Sequence, residues 1–217
     1  MSSRSAVVNA LTFARVPLIF LWAVFAVVQE MRADPATGGS FRLAFAAGAF
    51  MLLSGLTDLW DGRLARKWNV VSTLGKMSDP LMDKVFYLVA FPVLTWQMAH
   101  QGLGWPMELS ILAFTVLYLL RDTWVTFMRS IGTMYGADVG AMWLGKVRTA
   151  LSFPAAGWMY VYLALHRMTP ADSVWTKVVW PGSVLFVEAI LAALTLWSLV
   201  TYTMEYTPCL KRALEQK

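Results

Sequence analysis

The amino-acid sequence predicts an all-α integral membrane protein with six transmembrane helices. Three observations carry that expectation. The 217 residues are 58% hydrophobic and only 14% charged, whereas soluble domains carry roughly 25% charged residues. Mean hydropathy is +0.56, which is too apolar for a water-soluble globule. Six apolar stretches also approach the ~20 residues that a helix needs to cross a bilayer core.

The first window, about 6–28, is apolar from Val16 to Val28 and holds Arg15 inside it. Arg15 follows an apolar run and no small-x-small cleavage site comes after it, so the segment is expected to be a retained span rather than a signal peptide. The second window, about 43–66, is apolar past Leu56 and then ends in charge. The third, about 75–99, centres on Phe86–Trp96. Pro80 suits the first turn of a helix, which predicts regular helix from near Asp79. The fourth, about 107–130, is apolar from Leu109 to Phe127, and the fifth, about 145–166, from Leu151 to Leu165. The sixth, about 178–203, contains Glu188, for which a structural role is expected. Connectors such as Arg32–Ser40 and Arg167–Ser173 carry Pro, Gly and charge, as turns do.

No polar linker or repeat divides the chain, so residues 1–217 are expected to form one membrane domain. The lone Cys209 excludes an internal disulfide, and no Cys/His cluster suggests zinc. The net charge of +5 points to membrane anchoring and anionic lipid or substrate, not to nucleic acid. One set of segment ends holds most of the Lys and Arg, including Arg4, Arg63, Arg66, Lys67, Lys76, Arg129, Lys146 and Arg148. The opposite set holds Arg32, Arg42, Arg167 and Lys177. The positive-inside bias places both termini, and the charged stretch Asp58–Asp83, on the cytoplasmic side.

That stretch is the most informative in the chain. It runs Thr57-Asp58-Leu59-Trp60-Asp61-Gly62-Arg63-Leu64-Ala65-Arg66 and continues to Gly75-Lys76-Met77-Ser78-Asp79-Pro80-Leu81-Met82-Asp83. Ionisable groups at membrane depth are costly and face a polar cavity. At ~100° per residue, Asp58, Asp61, Gly62 and Ala65 share one helical face. Gly75, Asp79 and Asp83 share another on the next helix, after a turn short enough for an antiparallel hairpin. The two faces can then converge four carboxylates, which repel one another unless a cation lies between them. Hard oxygen donors suit Mg²⁺ or Mn²⁺. Two such ions would neutralise a pyrophosphate and stabilise the attacking and leaving oxygens. Gly62 and Ala65 leave room for a ligand, and Arg66 can add a charge-assisted hydrogen bond to phosphate.

The pattern D-x2-D-G-x2-A-R-x8-G-x3-D-x3-D, carried here by Asp58, Asp61, Gly62, Ala65, Arg66, Gly75, Asp79 and Asp83, resembles the signature of the CDP-alcohol phosphatidyltransferases. The resemblance implies six transmembrane helices, a homodimer and an active site at the cytoplasmic face. It implies that Asp58, Asp61 and Asp79 are metal ligands. It implies that Asp83 takes the acceptor hydroxyl's proton, within reach of the metal. Gly62, Ala65, Arg66 and Gly75 would line the CDP-lipid pocket.

Two further segments resemble the phosphatidylglycerophosphate synthases within that family. Asn9, Thr12 and Arg15 match an N-x2-T-x2-R opening. Arg121-Asp122, Arg129 and Gly145-Lys146-Val147-Arg148-Thr149 match an R-E…R…G-K-x-K-T series, with Asp122 and Arg148 keeping the charge of the usual Glu and Lys. The resemblance covers about Asn9 to Thr149. It implies transfer of a phosphatidyl group from CDP-diacylglycerol to sn-glycerol 3-phosphate, giving phosphatidylglycerophosphate and CMP. The acceptor is a dianion that four aspartates would repel, so a cationic cradle is required. Arg121, Arg129, Lys146 and Arg148 are the candidates for it. Arg121 and Arg129 lie ~80° apart on an ideal helix, whereas Lys146 and Arg148 point ~200° apart and are not expected to reach the same phosphate. The membrane expected is the bacterial cytoplasmic (inner) membrane. Alternatives are the same chemistry with inositol phosphate or phosphatidylglycerol as acceptor, or a cation transporter or channel. A transporter would spread its acids across membrane depth, whereas these gather at one end of two helices.

Overall fold

A backbone in lipid has to satisfy its own hydrogen bonds, and helices do so within one segment. The computed structural model describes residues 3–33, 39–70, 73–137, 140, 142–169 and 174–215, with the side chains of residues 3, 73–77, 79, 175 and 176 outside the described set. Among the described residues the chain is helical, with no strand: α1 Ser3–Met31, α2 Phe41–Lys67, α3 Thr73–Gln101, α4 Trp105–Met134, α5 Trp143–Met168, the short α6 Val174–Val178 and α7 Pro181–Glu215.

Helices α1, α2, α4 and α7 are long and apolar enough to cross a membrane. Helices α3 and α5, with 29 and 26 residues, match them in length. They carry more polar side chains, among them Asp83, Lys84 and Gln97 on α3 and Lys146, Arg148 and Ser152 on α5. Two local expectations are corrected. Helix α3 is regular from Thr73, with Pro80 inside it; Pro80 removes only the one bond its nitrogen would donate, and the helix runs on. The sixth apolar window begins within α6, and Pro181 then starts a separate, 35-residue helix.

The turn after α2 sets up the site. Asn69 takes a left-handed conformation (φ 52°), which a short polar side chain tolerates. Its N–H bonds Arg66 O at 3.3 Å, and the Val70 N–H bonds Ala65 O at 3.1 Å. This is the paired closure of a Schellman cap. It ends α2 just beyond its acidic face and sends the chain back as α3.

Helix α1 packs against α2 and α3, α4 against α7 and α3, and α5 against α7, α3 and α2. The buried side of α1 runs Val8, Thr12, Arg15, Ile19, Trp22, Ala26, the i/i+3/i+4 spacing of one helical face. Its apolar part joins the core around Phe91, Leu94, Ile111 and Leu163; its polar part points at the end of α2. At the opposite end of the bundle, Glu30 accepts from Gln101 at 2.9 Å and pairs with Arg167 at 3.2 Å, tying α1, α3 and α5 together. Glu188 of α7 is buried in the bundle.

Helices α2 and α5 approach closely where Gly55 meets the ring of Phe153; a Cβ on Gly55 would fall within that ring's atoms. Phe153 is also held against Phe86, with ring centroids 5.0 Å apart. Gly55→Ala is therefore expected to destabilise the fold by about 1–3 kcal/mol through overpacking. The measurement is the thermal unfolding midpoint in detergent, and an unchanged midpoint would show the ring to be free to move.

Candidate active site

Three carboxylates from two helices meet one guanidinium. Arg15 Nη2 lies 2.5 Å from Asp58 Oδ1 and 3.1 Å from Asp61 Oδ2, and Arg15 Nη1 lies 3.2 Å from Asp83 Oδ1. The Thr12 hydroxyl donates to Asp61 Oδ2 at 2.8 Å. The D-x2-D spacing of α2 brings Asp58 and Asp61 to the same side of the helix, and the reversal at Asn69 brings Asp83 opposite them. The three are not equivalent. Asp61 is closed off, with 6% of its side chain exposed, whereas Asp58 and Asp83 are open at 51% and 40%.

The donor set fits a hard divalent ion. It consists of carboxylate oxygens alone, gathered from two helices around a positive group. Among the described residues, no three His, Cys, Asp or Glu side chains close on a single point at metal-ligand spacing. The oxygens instead stand apart around the guanidinium. Gly75 and Asp79 lie on α3, but the Asp79 side chain falls outside the described residues, so the fourth expected ligand is not placed.

A cavity of about 840 Å³ opens beside this acidic pole, within the ~300–1,000 Å³ of small-molecule sites. Arg15, Asp58 and Asp83 line one part of it; Arg121, Arg129, Lys146 and Arg148 line another. All four basic residues expected in the acceptor site thus share one cavity with two of the aspartates. Gly62, Ala65 and Arg66 are not among its lining residues; they lie further along α2, with Arg66 exposed at the helix end.

The basic pole has an internal anion. Asp122 lies 3.2 Å from Lys84 Nζ, 3.4 Å from Arg148 Nη2 and 3.7 Å from Arg121 Nη1. Lys84 also donates to the Thr126 hydroxyl at 2.8 Å. Arg148 is 1% exposed, and its guanidinium lies over the Tyr118 ring at 4.0 Å, a cation–π contact. Arg121 bonds the Ser198 hydroxyl and lies 5.1 Å over the Tyr202 ring. Lys146, by contrast, is exposed. Lys146 and Arg148 thus differ in burial, although both line the cavity. Gly145 lets α5 begin close to α7: a Cβ there would sit 3.0 Å from the Tyr202 hydroxyl and 3.6 Å from Arg121 Nη2. That hydroxyl accepts the Met142 N–H at 2.8 Å.

Lys84 and Tyr202 are the site residues that sequence reasoning missed. For Lys84 the available signal was its place beside Asp83, on a face turned toward α4. Asp122, matched in the sequence as the acid after Arg121, gains Lys84 and Arg148 as partners. Asn9, Thr12 and Arg15 of the N-x2-T-x2-R opening are all buried, and Thr12 and Arg15 contact the acids.

A model of the CDP-alcohol phosphatidyltransferase family matches residues 6–203. A protein of Shigella flexneri serotype 5b (strain 8401) named CDP-diacylglycerol–glycerol-3-phosphate 3-phosphatidyltransferase is 31% identical over 158 residues, which cover 73% of this chain and 76% of that protein. A protein of the same name from Escherichia coli (strain K12) is 30% identical over 158 residues with the same coverage.

Proposed function

The chain belongs to the CDP-alcohol phosphatidyltransferase family, and from that premise we propose that it transfers a phosphatidyl group from CDP-diacylglycerol to sn-glycerol 3-phosphate, releasing CMP. The observation that carries the choice of acceptor is the single cavity that joins the aspartates to a cationic wall of Arg121, Arg129, Lys146 and Arg148. A neutral alcohol would have no use for that wall, whereas a phosphorylated one would be repelled without it. The relatives' names describe the same reaction.

In this reading Asp58, Asp61, Asp79 and Asp83 would hold two Mg²⁺ or Mn²⁺ ions, which would supply charge neutralisation for the diphosphate. Gly62, Ala65, Arg66 and Gly75 flank the cytidine end of the donor. The acceptor phosphate rests on the cationic wall, which turns the glycerol hydroxyl toward Asp83. Asp83 takes the hydroxyl proton, and the freed oxygen forms a bond to the lipid-side phosphorus. The bond from that phosphorus to the bridging oxygen breaks, and CMP leaves with both electrons. Positioning and electrostatics do most of the work, since two reactants held in line gain an entropic advantage.

The same resemblance supports six spans, with α3 and α5 crossing beside the four more apolar helices, and a homodimer. The bias of Lys and Arg supports a cytoplasmic active site and cytoplasmic termini. The bacterial relatives support the inner membrane.

Purified protein with CDP-diacylglycerol and Mg²⁺ or Mn²⁺ is expected to release CMP with glycerol 3-phosphate. Release with glycerol, which lacks the phosphate, should be at least ~100-fold slower, since a charge-assisted phosphate contact contributes about 1.5–3 kcal/mol and several act here; inositol phosphate and phosphatidylglycerol are the competing acceptors to compare. Chelation should abolish release, and added metal should restore it. Faster release with any other acceptor refutes the assignment.

A further inference from the structure

We infer that Arg15 is an internal counter-cation of the acidic pole, occupying the aspartate oxygens that divalent ions use and thereby keeping free metal weakly bound. This rests on the reading of that pole as the metal site and adds a role for one of its neighbours.

Arg15 is 4% exposed. Its two terminal nitrogens reach oxygens of Asp58, Asp61 and Asp83 at 2.5–3.2 Å. Three carboxylates so close raise one another's energy unless a positive charge stands among them, and the guanidinium is permanently charged. It donates hydrogen bonds to Asp61 and Asp83 and pairs with Asp58. A Mg²⁺ ion requires its oxygens at ~2.0–2.1 Å in near-octahedral geometry. The two arrangements use the same oxygens at different separations and carry like charge at nearly the same point. Metal entry therefore requires the guanidinium to withdraw.

The fold gives it somewhere to go. Arg15 lines the cavity as well as the acidic pole, and its Nε is buried without a hydrogen-bond partner. A guanidinium turned toward the cavity would meet the diphosphate of a bound nucleotide, a good bidentate acceptor. Giving up the aspartates is thus unfavourable in the substrate-free protein and offset once an anion is present. Metal and nucleotide would then favour each other's binding, a reciprocal coupling.

The experiment is a Mn²⁺ titration of the full-length protein in detergent, with neither nucleotide nor acceptor, following free Mn²⁺ by electron paramagnetic resonance. Arg15→Gln is expected to bind Mn²⁺ at least ~10-fold more tightly than the wild type, because a like charge and a competitor for the ligands are both removed. Arg15→Lys, a point charge that cannot fork to three carboxylates, should tighten binding by about threefold. Thr12→Val, which removes a neutral donor to Asp61, should produce no tightening. Elution volume and helix content verify folding, and if Arg15→Gln does not fold, Arg15→Lys carries the test. Equal or weaker Mn²⁺ binding by the folded variant overturns the inference and makes Arg15 an organiser of the ligands. Mn²⁺ binding by none of the proteins overturns it together with the metal reading, whereas CMP release is tested separately.

Discussion

Asp83→Asn is expected to lower the rate of CMP release at saturating substrates by about 10²–10⁴-fold, the range for a positioned general base, with both KM values almost unchanged. The choice among the aspartates follows from exposure and direction. Asp61 is 6% exposed and already accepts from Thr12 and Arg15 on one oxygen, so it is closed to an acceptor hydroxyl. Asp58 and Asp83 both open to the cavity. Asp83 is the one beside Lys84, whose ammonium is anchored on Asp122 and Thr126 of α4. That anchor fixes the start of α3 against the helix that carries Arg121 and Arg129. In the proposed pose, an acceptor with its phosphate on that wall turns its hydroxyl toward Asp83. Asparagine keeps the shape and removes the capacity to take a proton. Steady-state CMP release with each substrate varied gives the answer. A deficit confined to KM, or one repaired by more Mn²⁺, identifies Asp83 as a ligand only and sinks its role as base.

The helices were legible because lipid and protein interior both demand apolar residues, so composition marks a membrane helix whichever way it faces. The acid spacing was legible for a related reason. Helical periodicity turns D-x2-D and D-x3-D into shared faces without any knowledge of the partner helix. Arg15 shows where that kind of inference stops. Its position on the buried stripe of α1 could be seen, but its partners lie 43, 46 and 68 residues away on α2 and α3, and periodicity does not specify which helix packs opposite. Asp122 is similar. Its meaning depends on Lys84 from α3 and Arg148 from α5 arriving at one point. Gly62 and Ala65 show the converse case: small residues beside acids predict space, and the cavity is lined by α2 nearer its middle, at Leu52, Gly55, Leu56 and Asp58.

Lys146 and Arg148, two residues apart in one basic run, are expected to fail in opposite ways when neutralised. Lys146 is exposed on the cavity wall, so Lys146→Gln should leave thermal stability intact. It should raise KM for glycerol 3-phosphate by about 10–100-fold, the equivalent of one charged hydrogen bond at 1.5–3 kcal/mol, with KM for CDP-diacylglycerol unchanged. Arg148 is buried over Tyr118 and paired with Asp122. Removing one partner of a buried ion pair costs about 3–5 kcal/mol. Lys84 still neutralises Asp122, so Arg148→Gln should lie near the lower end of that range, as a fall in the unfolding midpoint. Asp122→Asn combined with Arg148→Gln should then cost less than the sum of the two single changes, because the second removes a charge that the first has already stranded. If Arg148→Gln instead raises the acceptor KM at full stability, the guanidinium leaves Asp122 to bind the phosphate, and both cations of the run read it.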